Sequence, residues 1–285
     1  MTQVKKTEDK SVTSLIKSDS FKQRCAEVLG SKAQQYIASL ISLVNQTASL
    51  ETCEPNSVAM AAMTAATLDL PVNSNLSFAH IIPYNSKQKD GTYKKFAQFQ
   101  MGWRGFVQLA MRTGRYETIN VTEVYANQYK GMDVLSGQIL LNNVEGEGEI
   151  IGYLAHFRLI PADGQSIGYW KTLYMNIAQL HEHGKKYSKT YHQDGSKWKV
   201  DFPSMAKKTV IKLLLSRWGL LSIEMRIAVL TDQAIIKNAD ATDLAFPDNP
   251  KTEDVTHTVV GEDEEKHNEA IKSPDEITKI KSLNL

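Results

Sequence analysis

Lysines alternate with aromatic rings in Lys185-Lys186-Tyr187-Ser188-Lys189-Thr190-Tyr191-His192, and the pattern resumes in Lys197-Trp198-Lys199. Ammonium groups neutralise backbone phosphates and release condensed counterions. Flat rings offer surfaces on which unpaired bases stack, for about 1–3 kcal/mol each and without regard to sequence. That combination suits a single nucleic-acid strand. A duplex reader presents one recognition helix, and the chain has no helix-turn-helix or zinc-finger spacing. The charge is concentrated: from Lys171 to Arg217 ten basic residues (Lys171, Lys185, Lys186, Lys189, Lys197, Lys199, Lys207, Lys208, Lys212 and Arg217) face only Glu182, Asp194 and Asp201. A plainer reading, with Tyr187, Tyr191 and Trp198 packed on the body and the lysines merely solvated, stays open.

Other groupings are weaker. Arg104 and Arg112 fall on one face of a predicted helix with Arg115 just beyond, as a second phosphate row or as an ordinary charged helix face. Lys87, Lys89, Lys94 and Lys95 crowd a predicted hairpin, where they clamp a strand or blunt a sheet edge. His181 and His183 stand two residues apart, so on a helix their rings diverge by about 200° and chelate poorly. Glu145, Glu147 and Glu149 alternate with glycine and read as a solvated hairpin, with a metal-dependent nuclease as a remote alternative. No Gly-x-x-x-x-Gly-Lys-Ser/Thr loop is present, so no ATP site is identifiable. No nucleophile–base signature is present either. The expectation is a protein with no catalytic residues, no metal site and no required cofactor, Mg²⁺ being compatible with the sequence but not demanded by it.

The elements that position these residues emerge from periodicity. The chain has 285 residues, 42% apolar and 23% charged, with a net charge of +1. The balance is uneven: residues 240–285 hold twelve acidic and five basic residues, leaving 28 basic and 20 acidic in the rest. A basic body with an acidic tail recurs in nucleic-acid binders. Residues 1–28 read as a basic N-terminal arm, 29–238 as the folded, nucleic-acid-binding core, and 239–285 as a flexible acidic tail whose last stretch from Ser273 could dock a partner. Within the core, Ser31 opens a helix to about Gln46, and Pro55 opens another to about Asp69. A hairpin runs Phe78–Tyr84 and Tyr93–Met101. A helix follows over Trp103–Thr113, stopped by Gly114. Strands are expected at Thr118–Tyr125, Glu149–Ile160 and Gly168–Met175. A short helix should span Asn176–His183, ended by Gly184, and a longer one Pro203 to about Trp218, with Lys208 and Lys212 outward. Asp232–Asn238 could add a turn or two. The fold class is therefore α+β, a small, mostly antiparallel sheet packed by helices. No apolar run reaches the ~18–20 residues of a membrane span. Cys25 and Cys53 suit a reducing cytosol.

Phe78-Ala79-His80-Ile81-Ile82-Pro83-Tyr84, followed by Ala97-Gln98-Phe99-Gln100-Met101-Gly102-Trp103-Arg104-Gly105-Phe106, resembles the signature region of the RecT family of phage-encoded single-strand annealing proteins. Leu109-Ala110-Met111-Arg112-Thr113-Gly114-Arg115-Tyr116, Tyr174-Met175, Lys186-Tyr187-Ser188, Trp198 and Met205 to Lys212 fit as well, so the resemblance covers about residues 30–225. It implies ATP-independent binding and annealing of complementary DNA strands in homologous recombination, rings or helical filaments of subunits, and a phage or prophage origin in a bacterial cytoplasm. It also implies a 5′→3′ exonuclease and a host single-strand-binding protein as partners. The expected groove is formed by Arg104, Arg112, Arg115, Lys171, the 185–199 segment, Lys207, Lys208, Lys212 and Arg217, with Lys94, Lys95, Gln100 and Trp103 nearby. It would grip backbone and leave base edges open. A passive coat that binds single strands without annealing them is the alternative.

Overall fold

The structure, a computed structural model, describes residues 11–73, 75–87, 91–188, 190–232, 234–236 and 244–245. The N-terminal arm expected over residues 1–28 holds two helices among its described residues: α1 (Val12–Lys17) and α2 (Asp19–Leu29) bury Val12, Ile16, Phe21 and Cys25. One apolar residue per turn among Lys, Ser and Thr is too sparse to read as a stripe. The local signals were the caps, for Ser11 Oγ accepts from the Ser14 amide at 3.1 Å and Ser18 Oγ from that of Phe21 at 3.3 Å. A 3₁₀ turn over Gly30–Lys32 carries Ser31, which therefore caps nothing, into α3 (Ala33–Gln46). After α4 (Ala48–Glu51), α5 (Pro55–Thr67) starts at its proline, and the Glu54 carboxylate accepts from the amides of Asn56 and Ser57.

β1 (Ala79–Lys87) and β2 (Tyr93–Met101) form the expected hairpin, in register from Ala79 opposite Met101 to Lys87 opposite Tyr93. It is tied to α5 by the Ala97 amide donating to Ser57 Oγ at 2.8 Å. At Gly102 the chain turns into α6 (Trp103–Arg112), which ends before Gly114 at φ 64°. β3 (Tyr116–Tyr125) leads to a small hairpin, β4 (Tyr129–Asp133) and β5 (Gln138–Leu141). β6 (Ile150–Leu159) and β7 (Trp170–Asn176) complete a three-stranded antiparallel sheet in the order β3-β6-β7.

α7 (Ile177–Tyr187) begins at a capping box of Asn176 and Gln179 and runs past Gly184. Gly184 is buried within the helix, because a Cβ there would lie 2.7 Å from the Tyr191 ring and 2.9 Å from that of Trp198. Close packing, not helix termination, is what selects glycine at that position. Then come α8 (Lys197–Val200) and α9 (Phe202–Trp218), the long helix against which β6 turns Tyr153, Ala155 and Phe157.

α10 (Ile223–Thr231) has no counterpart in the sequence reading, since its nearly continuous apolar run carries little helical period. The turns expected over Asp232–Asn238 are instead the end of α10 and β8 (Ile235–Ile236), which pairs with β9 (Leu244–Ala245). β9 thus lies beyond residue 239, where the acidic tail was expected to begin; the remainder of that tail, the stretch from Ser273 included, is outside the described residues. The fold is α+β, with small antiparallel sheets packed on helices. Among the described residues no helix is long and apolar enough to cross a membrane.

Candidate nucleic-acid interface

The start of α6 is built by backbone crowding. A Cβ on Gly102 would fall 1.9 Å from the Ser77 carbonyl oxygen, and one on Gly105 2.2 Å from that of Phe78. Only glycine lets β2 turn into α6 beneath that segment, and the Gly102 amide seals the turn by donating to Phe78 O at 2.9 Å. The turn sets Trp103, half-buried, beside two cations. The Arg104 guanidinium lies 5.3 Å from its ring centre and Lys207 Nζ 5.5 Å. Lys207 also pairs with Glu123 at 2.8 Å. Burial, the largest single influence, pushes the Glu123 carboxyl up, but the Lys207 hydrogen bond and charge together with hydrogen bonds from its own amide and from Thr122 outweigh it, and the group sits below its usual range.

A second cationic cluster surrounds Trp218 at the end of α9. Lys171 on β7 places its Nζ 5.5 Å from the Trp218 ring, and the Arg217 guanidinium lies at 5.8 Å. Arg217, Lys212 and Lys186 all act on the His183 ring of α7. Burial first, and then these three cations, drop its pKa to about 4. Lys186, Lys212 and Arg217 thus all lie within electrostatic reach of one ring, His183. His80 on β1 is lowered likewise to about 4, by burial and then by Lys208 and Lys197, with Asp201 opposing. Both imidazoles are neutral at pH 7, and their values sit below the ordinary ~6.5, so unfolding takes up protons once pH falls below that value. Stability is therefore intact above pH 6.5 and declines as pH drops toward 4. Urea denaturation at pH 7 and pH 5 is expected to differ by about 2 kcal/mol for each histidine. Equal unfolding free energies at the two pH values would refute the assignment of buried neutral rings.

The lysine–aromatic segment behaves differently from its first reading. Trp198 is only 6% exposed and cannot offer a stacking face. It packs 6.0 Å from both Tyr191 and Phe202, while His181 lies 4.7 Å from Phe202 and accepts or donates at 2.8 Å with the Tyr191 hydroxyl. These rings form a small core that pins residues 190–200 to α7 and α9. Tyr187 is the exception: it is 42% exposed, with Lys186 Nζ 5.2 Å from its ring centre. The lysines of the segment do point outward. Lys186 and Lys197 are exposed, whereas Lys185 pairs with Glu182 and Lys199 with Asp194, each at 2.9 Å on open surface, where such pairs contribute little. Lys189 lies outside the described residues, as do Lys89 and the side chain of Lys87.

Lys208 and Lys212, expected outward on α9, turn toward a carboxylate that the sequence reading missed. Asp232, at the end of α10, is buried and accepts from Lys208 Nζ at 2.8 Å, from Lys212 Nζ at 2.6 Å and from the Met101 amide at 2.9 Å. The Lys208 side chain is 8% exposed and that of Lys212 27%. Burial alone would raise the Asp232 carboxyl, yet the two ammonium groups hold it at about 2. Lys208 is thus a structural cation, and Lys212 serves both the buried pair and the patch beside His183.

The remaining residues scatter. Arg112 donates to the carbonyls of Leu68 and Asp69 at 2.7 Å each and closes the end of α5, so it does not continue a phosphate row from Arg104. Arg115 is exposed beyond Gly114. Lys94 is exposed on β2, Lys95 donates to Thr52 Oγ1 at 3.2 Å, and Gln100 donates to Gln98 Oε1 at 2.9 Å. Glu145, Glu147 and Glu149 occupy an irregular link before β6, where Gly146 lies under the Tyr125 ring, not a hairpin of their own. Among the described residues no three His, Cys, Asp or Glu side chains converge as a metal site.

The sequence pattern of the RecT family matches residues 34–275. The uncharacterized protein YqaK of Bacillus subtilis (strain 168) is 40% identical over 232 residues, covering 81% of this chain and 75% of that relative. Protein RecT of Escherichia coli (strain K12) is 24% identical over 237 residues, covering 78% of this chain and 80% of its own. These matches take in the β1–β2 hairpin, the three-stranded sheet and α9 with its cations, and the chain belongs to the RecT family.

Proposed function

We propose that this chain binds single-stranded DNA and anneals complementary strands in homologous recombination, without ATP and without bond-making chemistry of its own. The observation that carries the reading is the cationic patch of Lys171, Lys186, Lys212 and Arg217 around Trp218 and His183, on the body of a RecT-family chain. Cations set on half-buried rings grip phosphates and leave base edges open to a second strand. Base pairing then supplies sequence choice, and the stacking and pairing of the new duplex supply the free energy. Arg104 and Lys207 at Trp103 extend the backbone track. Subunits assemble as rings or helical filaments, which sum weak contacts along one strand. A 5′→3′ exonuclease supplies the strand and a host single-strand-binding protein hands it over, in the cytoplasm of a bacterial host.

The test is annealing of two complementary fluorescent oligonucleotides without ATP, at two salt concentrations, beside a non-complementary pair. Duplex formation faster than the protein-free rate, for the complementary pair alone, is expected. Tight binding with no acceleration would overturn annealing and leave a passive coat.

A further inference from the structure

The outer face of the three-stranded sheet, turned away from α9, holds a cleft of about 470 Å³ that the cationic patch does not use. Alternation along β6 puts Leu154, His156 and Arg158 on this face, opposite the core-facing Tyr153, Ala155 and Phe157. Register then builds two cross-strand rows: Asn120, His156 and Thr172 side by side, and Arg158 beside Trp170. β5 roofs one end, with Ile139 packed on Val124 and Leu154.

The cleft is assembled from complementary parts. Its floor is apolar, Leu154 being 6% exposed. Its wall is aromatic, with the His156 and Trp170 ring centres 6.2 Å apart. The His156 ring is fixed by a 2.8 Å hydrogen bond between Nδ1 and Thr172 Oγ1. Burial, and then the Arg158 guanidinium, lower its pKa, so it stands as a neutral ring. At the mouth, Arg158 has among the described residues only a loose 3.9 Å contact with Glu117 as its ion pair, and both side chains are about half exposed. The side-chain amide of Asn120 makes no hydrogen bond among the described residues. An apolar floor, a ring for stacking, an amide for a base edge and a guanidinium for a phosphate are what one nucleotide requires. A cleft of this size lies within the range of small-ligand sites, about 300–1,000 Å³.

Lys171 connects the cleft to the cationic patch. From edge strand β7 its Nζ reaches the Ser136 carbonyl at 2.9 Å, in the β4–β5 turn beside Gln138, while lying against Trp218. Building on the single-strand reading, we propose that the outer-face cleft receives one nucleotide of the bound strand, swung out of the backbone track, with its base against Trp170 and its phosphate on Arg158.

The full chain is to be irradiated with an oligonucleotide carrying 5-iodo-deoxyuridine and the adducts mapped by mass spectrometry. An adduct on Trp170 or His156 is expected. Asn120→Ala, an exposed change that spares the fold, should lower its yield about tenfold, the cost of one lost amide–base contact. Trp170→Leu should abolish it and leave adducts at Tyr187 or Trp103. Binding of the strand with adducts confined to those other rings, or an adduct yield indifferent to Asn120→Ala, overturns the cleft while leaving single-strand binding intact. Absence of strand binding altogether overturns both.

Discussion

Asp232→Ala is expected to lower the unfolding free energy by about 3–5 kcal/mol, the usual cost of breaking a buried ion pair from one side. The carboxylate is buried and receives two ammonium groups and the Met101 amide. Removing it takes a charged acceptor from each of three donors, and their escape routes differ. Lys212, 27% exposed at its side chain, can swing to water; Lys208, at 8%, cannot. Lys208→Ala should therefore cost several times what Lys212→Ala costs, since it alone leaves the Asp232 charge short of its buried partner. The pH signature is separate from that of the histidines. Asp232 titrates at about 2 in the folded chain against an ordinary 3.8, so its contribution is fully present above about pH 4 and is lost as pH falls toward 2. Urea denaturation of the three variants at pH 7, and of the parent below pH 4, measures both effects. A cost under about 1 kcal/mol for Asp232→Ala would mean that water already reaches the pair.

The Asp232 network also marks where sequence reading fails. Lys208 and Lys212 stand one helical turn apart in a basic run, and nothing local distinguishes a solvated lysine from one aimed at a carboxylate twenty or more residues downstream. The same limit applies to Trp198. Its neighbours Lys197 and Lys199 made it look like a stacking platform, but its burial depends on Gly184, which admits the Tyr191 and Trp198 rings against α7. Arg112 does not join the phosphate row for a related reason, because the carbonyls it caps directly follow α5, more than forty residues earlier. What was legible rested on short-range rules. The β1–β2 hairpin, α6 with its glycine stop, the three sheet strands and the body of α9 all follow from alternation, helical period and terminal Gly or Pro. The motif glycines Gly102 and Gly105 are legible only as residues; their reason, the carbonyls of Ser77 and Phe78 under α6, is tertiary. The outer-face cleft left no sequence signal at all, since its rows come from register across three strands.

The triple variant Lys171→Ala, Lys186→Ala, Arg217→Ala is expected to bind single-stranded DNA roughly fifty-fold more weakly at 0.15 M salt. The size follows from counterion release: each phosphate contact on a single strand contributes about 0.7 to the slope of log K against log salt, so three lost contacts flatten it by about 2. All three residues lie around Trp218 and His183 and form no ion pair with an acidic side chain among the described residues. Their loss should act alike on all sequences, since phosphate contacts carry no base information. Lys208→Ala is the informative contrast. As the buried partner of Asp232 it should lower stability while leaving the salt slope of the folded protein unchanged, although it lies in the same basic run. Lys185 and Lys199, each in an exposed pair, should give intermediate losses, because phosphate must compete with Glu182 or Asp194. Fluorescence anisotropy titrations of two unrelated oligonucleotides across a salt series separate these outcomes. An unchanged slope in the triple variant would move the strand off this patch and toward Arg104 and Lys207 at Trp103. A slope that falls equally for Lys208→Ala would mean that the buried pair opens when DNA binds.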